Sequence, residues 1–141
     1  MFRTSLLAAV FAVGFLSAAS AATIQYKATM TGKNEVPPTT STGSGDVLAT
    51  LDTNTKKLSY TMTYIGLTGP ATAAHFHGPA APGQNAGVAV PIGMNPPSPS
   101  TGTVTLTDAQ MKDLMAGKWY TNVHTAANKG GEIRGQMMQV K

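Results

Sequence analysis

From position 23 onward the chain alternates apolar and polar residues in short runs, broken by Gly, Pro and Asn. Thr23 to Thr31 places Ile24, Tyr26, Ala28 and Met30 on one face and Gln25, Lys27 and Thr29 on the other. That period of two predicts a half-buried strand. Gly32 to Glu35 reads as a turn, and Val36-Pro37-Pro38 opens a loop rich in Thr, Ser and Gly. A second strand is predicted over Gly45 to Leu51, with Asp52 to Lys56 as a hairpin connection. Leu58, Tyr60, Met62 and Tyr64 alternate along a third strand, opposite Ser59, Thr61 and Thr63. Ala71 to Gly78 predicts a fourth strand, and Val88 to Ile92 is a short apolar run. Met94 to Thr101 holds three prolines and predicts irregular backbone.

The period changes once. Thr107-Asp108-Ala109-Gln110 has the form of a capping box, and Met111, Leu114 and Met115 follow at helical spacing before Gly117. Val104 and Leu106 mark a short strand before this helix; Lys118 to Thr125 and Glu132 to Val140 predict the last two, separated by an Asn128 to Gly131 turn. Many short strands with turn signals between them predict a mostly β fold, an antiparallel Greek-key β-sandwich or barrel with one short helix.

The first 22 residues follow a different rule. Arg3 is a basic start, Leu6 to Leu16 is an unbroken apolar or small run, and Ser17 to Ala22 supplies small residues. These are the parts of a secretory signal peptide, in a run too short for the roughly 20 residues that cross a bilayer. The expected organisation is a signal peptide at 1–22 and one domain at 23–141, periplasmic or secreted, with no membrane segment in the mature form. Removing Arg3, the one charged residue of the segment, lowers the net charge from +4 to +3. The remaining lysines are scattered, which argues against nucleic acid as a partner. The chain has no cysteine, so an exported domain of about 120 residues must fold without disulfides, and no thiolate is available to a metal.

The chemistry concentrates in three histidines, the full complement of the chain. His75 and His77 project from one strand face, ~7 Å apart along the backbone. His124 lies on another predicted strand, sharing a face with Tyr120 and Asn122. If the two strands are close, three imidazoles can meet on one ion at about 2 Å each. Against this stands the plain possibility of surface or hydrogen-bonding histidines flanked by core residues. An exported all-imidazole site suits copper or zinc, and the divalent affinity order favours copper, with zinc left open. Glu35, Asn122 or water can complete the coordination, and nothing in the sequence chooses among them. Most methionines read as core fillers. Glu132 and Arg134 share one strand face, where a simple ion pair and a role near the site are equally open, and Asn85 and Gly87 read as ordinary loop residues. No Gly-x-Ser-x-Gly elbow, phosphate loop or dinucleotide fingerprint occurs, and the six acidic residues show no carboxylate pair.

Several ordered motifs resemble the CHRD domain, named after chordin: Asn34-Glu-Val-Pro-Pro38, Ala74-His-Phe-His-Gly-Pro-Ala80, the Gly83 to Gly87 segment, Tyr120-Thr-Asn-Val-His-Thr125 and Gly131-Glu-Ile-Arg-Gly-Gln136. The resemblance spans Thr23 to Val140. It implies an extracellular or exported domain without defining a biochemical role. A more distant likeness, in the order His-x-His, late Val-His and a Gly-rich segment with Arg, is to copper-zinc superoxide dismutase, a Greek-key barrel. It implies His75, His77 and His124 as copper ligands and Arg134 as the catalytic cation that guides a small anion such as superoxide. The chain lacks the bridging fourth histidine, the zinc ligand cluster and the cysteine pair, so the likeness supports at most a copper-only site. Three functional readings remain open: a copper-binding protein with superoxide dismutase-like redox activity, a non-catalytic metal carrier or buffer, and a structural or protein-binding module of unknown partners.

Overall fold

Alternation along the first three strands is reproduced residue by residue in the computed structural model, which describes residues 22–141. The predicted signal segment lies outside the described residues apart from Ala22. In β1 (Thr23–Thr31) Tyr26, Ala28 and Met30 are buried, and Lys27 and Thr29 are exposed. β2 (Ser44–Asp52) and β3 (Lys57–Ile65) continue the same face with Val47, Ala49, Leu51, Leu58, Tyr60 and Met62. The three form an antiparallel meander without a register break, Thr23 opposite Asp52 and Asp52 opposite Lys57. The hairpin between β2 and β3 closes because the Asp52 carboxylate accepts the backbone N–H groups of Asn54 and Thr55, 2.9 Å each, an Asx-type turn.

The remaining elements are β4 (Ala71–His77), β5 (Val88–Met94), β6 (Ser100–Thr105), α1 (Asp108–Met115), β7 (Tyr120–Thr125), β8 (Ile133–Gln136) and β9 (Met138–Gln139). The strand order is β5-β4-β7-β8-β1-β2-β3-β6, with β9 also on β1. β8 returns beside the first strand of the β1–β2–β3 meander, the Greek-key arrangement. The sheet folds back on itself into a nearly closed barrel. Tyr60 on β3 meets Phe76 on β4 edge to face at 5.1 Å, although these strands share no hydrogen bonds. Phe76 in turn packs on Trp119, centroids 5.9 Å apart. The seam lies between edge strands β5 and β6. Beside it sits α1, whose Gln110 side chain donates to Ala89 O on β5 at 2.9 Å. Pro91 on β5 lacks an N–H, which suits an edge strand.

The capping box is complete: Thr107 Oγ1 accepts from Gln110 N and Gln110 Oε1 accepts from Thr107 N. Gly117 takes φ +72° past the helix end, where a side chain would strain the backbone. Of the helical apolar trio only Leu114 is buried; Met115 is exposed. Two expectations change. The irregular segment is confined to 95–99, because β5 runs to Met94 and β6 starts at Ser100. The single last strand is two: Met137 turns into the core and donates its N–H to Trp119 O, while Met138 and Gln139 pair with β1. A buried methionine at the break removes one residue from the ladder, so the β7 register ends at Gln136 while β1 stays alongside both pieces. Among the described residues no helix is long and apolar enough to cross a membrane.

One region breaks the half-buried pattern. Tyr120 to Val123 and Gly131 to Gly135 are buried on both faces. Their outer face is roofed by the 35–42 and 79–87 loops, which are joined where Asn85 Nδ2 donates to Val36 O at 2.9 Å. Under that roof lie the polar residues of interest.

Candidate metal centre

Pairing places the three histidines together. On β4, Ala74 and Phe76 face the core, so His75 and His77 face out. β7 lies alongside with Ala73 opposite His124 and His75 opposite Asn122. One ring nitrogen from each of His75, His77 and His124 falls in a set whose members are all within 4.8 Å of one another. His75 Nδ1 and His124 Nε2 are 3.0 Å apart. Two nitrogens at that separation, each about 2.0 Å from one ion, subtend about 100°, close to tetrahedral. His77 is buried, while His75 and His124 are half-buried, so the centre opens to solvent on one side.

Backbone carbonyls set the ring orientations. His77 Nδ1 donates to Ala86 O at 3.0 Å and His124 Nδ1 to Lys129 O at 2.9 Å. Each bond fixes a tautomer whose Nε2 carries the lone pair a metal needs. Burial, then the neighbouring His124 and His77, hold His75 below the usual imidazole range. Burial also lowers His77, against hydrogen bonds to Ala86 and Asn122 and with help from the His124 and Arg134 charges. Neutral imidazoles are therefore favoured at neutral pH, the state that ligates.

Arg134, expected as an anion guide, lies opposite Asn122 on β8. Its guanidinium sits 3.5 Å over the Tyr120 ring, and Tyr120 stacks on His77 at 4.8 Å with the rings parallel within 2°. Arg134 is 2% exposed; its Nη1 donates to Asn85 Oδ1 at 2.8 Å and its Nη2 to Gln84 O. A cleft of about 440 Å³ lined by Lys33, Glu35, Pro82, Arg134 and Gln136 opens beside it. The simple Glu132–Arg134 ion pair does not form. Glu132 is fully buried and accepts from Ser41 Oγ, Thr68 N, Thr68 Oγ1, Thr125 Oγ1 and Asn128 Nδ2. Burial raises its pKa, but these bonds prevail and hold it at about 2. Asn85 is likewise no ordinary loop residue, since it ties Arg134 to the roof.

Glu35 is the residue whose state the sequence does not announce. It is 5% exposed, and its Oε1 has no hydrogen-bond partner. It is not part of the histidine cluster. Burial drives its pKa up to about 7, against the Arg134 charge and hydrogen bonds from Asn122 and Val36. A raised carboxyl pKa favours the folded state at low pH, and that advantage is lost as pH rises from about 4.5 through about 7. Glu35→Gln is therefore expected to stabilise the fold at pH 8 by about 1–3 kcal/mol and to be near neutral at pH 4. Urea midpoints at the two pH values check it; equal shifts at both would remove the buried charge as the cause. Glycine at 131 leaves room for this packing. A Cβ there would collide with Glu35 Oε1 and stand 2.5 Å from Asn122 Nδ2, at φ +129°.

The sequence model of the CHRD domain matches residues 26–137. The chain belongs to the CHRD domain family. That match covers every residue of the centre, from Glu35 to Arg134. No curated protein and no solved structure matches the chain, so the chemistry of this CHRD domain rests on its own residues. Sequence patterning reached the three histidines and their shared face with Asn122. It missed Ala86, Gly130 and Lys129, because their contribution is a backbone carbonyl that every residue type carries.

Proposed function

We propose that this CHRD domain is an exported copper-binding protein that holds its ion with His75, His77 and His124. The observation that carries the proposal is the mutual approach of three ring nitrogens within 4.8 Å, two of the rings oriented by backbone carbonyls. An idle surface trio has no need of such orienting bonds, whereas metal-bound histidines regularly have them. Copper is preferred because imidazole donors without thiolate, at the top of the divalent affinity order, suit the cupric ion. The signal-like first 22 residues support a periplasmic or secreted location.

The likeness in histidine order to superoxide dismutase supports a redox extension, in which His75, His77 and His124 would hold a copper able to change oxidation state and to receive a small anion at the open side. Arg134 would then act as a buried positive charge stacked through Tyr120 onto His77, and Arg134→Ala would slow turnover and flatten its ionic-strength dependence. A carrier would bind without turnover and without need of Arg134.

The deciding experiment is a titration of chelator-stripped protein with cupric, cuprous and zinc ions, for wild type and His77→Ala. One tight copper equivalent, lost in the variant, is the expected result. Absence of specific binding in wild type would leave the histidines as structural groups.

A further inference from the structure

Three imidazoles leave one position of a four-coordinate ion open, and the structure holds a fourth donor against one of them. Asn122 Oδ1 lies 3.0 Å from His77 Nε2, the same separation as between His75 Nδ1 and His124 Nε2. His77 Nδ1–H is already directed at Ala86 O, so in the neutral ring Nε2 carries a lone pair. A lone pair and an amide oxygen at that distance are two acceptors facing each other, and they attract only with a proton or a metal ion between them.

Rotating the amide by half a turn does not remove the conflict. Asn122 Nδ2 donates to Gly130 O at 3.4 Å and lies beside the Glu35 carboxyl, on the side where both pack against Gly131. Turned over, Asn122 would set its oxygen against the Gly130 carbonyl, an obligatory acceptor. The surroundings therefore hold Oδ1 toward His77. Asn122 itself is 2% exposed and in register between His75 and Arg134, so the side chain has little freedom to serve solvent instead.

We infer that Asn122 is the fourth ligand, making a centre of three imidazole nitrogens and one amide oxygen; the inference rests on the three-histidine centre proposed above. Glu35 and the Gly130 carbonyl orient the amide from behind, as Lys129 and Ala86 orient the imidazoles. An oxygen donor is hard, so it favours cupric or zinc ion over the soft cuprous ion. It also leaves no permanently bound water at that position.

The test compares wild type, Asn122→Ala and Asn122→Asp by competition titration with cupric and zinc ions, and by electron paramagnetic resonance of the cupric form in ¹⁷O-labelled water. Asn122→Ala is expected to bind cupric ion about 10- to 100-fold more weakly, on the scale of losing one supporting group of a metal site. It is also expected to gain line broadening from a labelled water that wild type lacks. Asn122→Asp restores an oxygen donor and is expected to recover the affinity without the labelled-water signal. Thermal melts in chelator identify any variant that fails to fold, and the aspartate variant then carries the comparison. Equal affinities and spectra for wild type and Asn122→Ala would overturn the fourth ligand while leaving the histidine centre intact, provided that His77→Ala loses binding. An aspartate variant no tighter than alanine would overturn it as well. No binding by wild type would overturn the centre itself and the inference with it.

Discussion

Saturating cupric ion is expected to raise the melting temperature of the wild-type chain by on the order of 10 °C, and to leave the triple variant His75→Ala/His77→Ala/His124→Ala unmoved. The size follows from mass action. A ligand at about 1,000 times its dissociation constant stabilises the folded state by about 4 kcal/mol, provided that the unfolded chain does not bind it. The unfolded chain is a poor competitor here, because His124 is 47 residues from His77 in sequence and only the fold joins them. Acid should erase the increment. His75 and His77 are held below the usual imidazole range, so the unfolded chain takes up protons first as pH falls through about 6.5. Protonation thus opposes both folding and ligation. Scanning calorimetry with and without metal at pH 7.5 and pH 5 checks this, and an increment that survives in the triple variant would place the metal elsewhere.

Removing the Glu132 side chain carries the second large effect. Its carboxylate gathers five donors from Ser41, Thr68, Thr125 and Asn128, so it joins the 35–42 loop, the β3–β4 connection and the turn after β7. Glu132→Ala would strand those donors in a buried site and is expected to destabilise the fold by on the order of 3–5 kcal/mol. The pH dependence has a definite sign. With a folded pKa of about 2 against an ordinary 4.5, Glu132 contributes stability above pH 4.5 that disappears as pH falls toward 2. The gap corresponds to about 3 kcal/mol. Urea denaturation from pH 6 to pH 3 should show a steep loss in wild type and a flatter one in Glu132→Gln. Parallel curves would mean that the carboxylate's charge is not what the five donors require.

Along β1 to β3 the sequence was legible almost to the residue, because one face meets the core and the other meets water. Alternation records that difference directly. The capping box at Thr107 and the hairpin at Asp52 were legible for a related reason: both are closed by bonds between residues two or three apart. Patterning weakened at β7 and β8, where roofing loops bury both faces and the polar residues no longer mark solvent. The simple Glu132–Arg134 pair failed there. Loops distant in sequence supply each residue with better partners.

The sequence by itself determined the strand content, the single short helix, the absence of thiolate chemistry and the three histidines with their shared-face neighbour Asn122. Tertiary structure alone decided that β4 lies beside β7, which turns two distant motifs into one cluster. It also decided which ring nitrogens are free, because carbonyls at Ala86 and Lys129 claim the others. The division has a physical cause. Local hydrophobic period and short-range hydrogen bonds are written into neighbouring residues, whereas strand order, roofing and protonation state follow from contacts between segments that meet only after the barrel has formed.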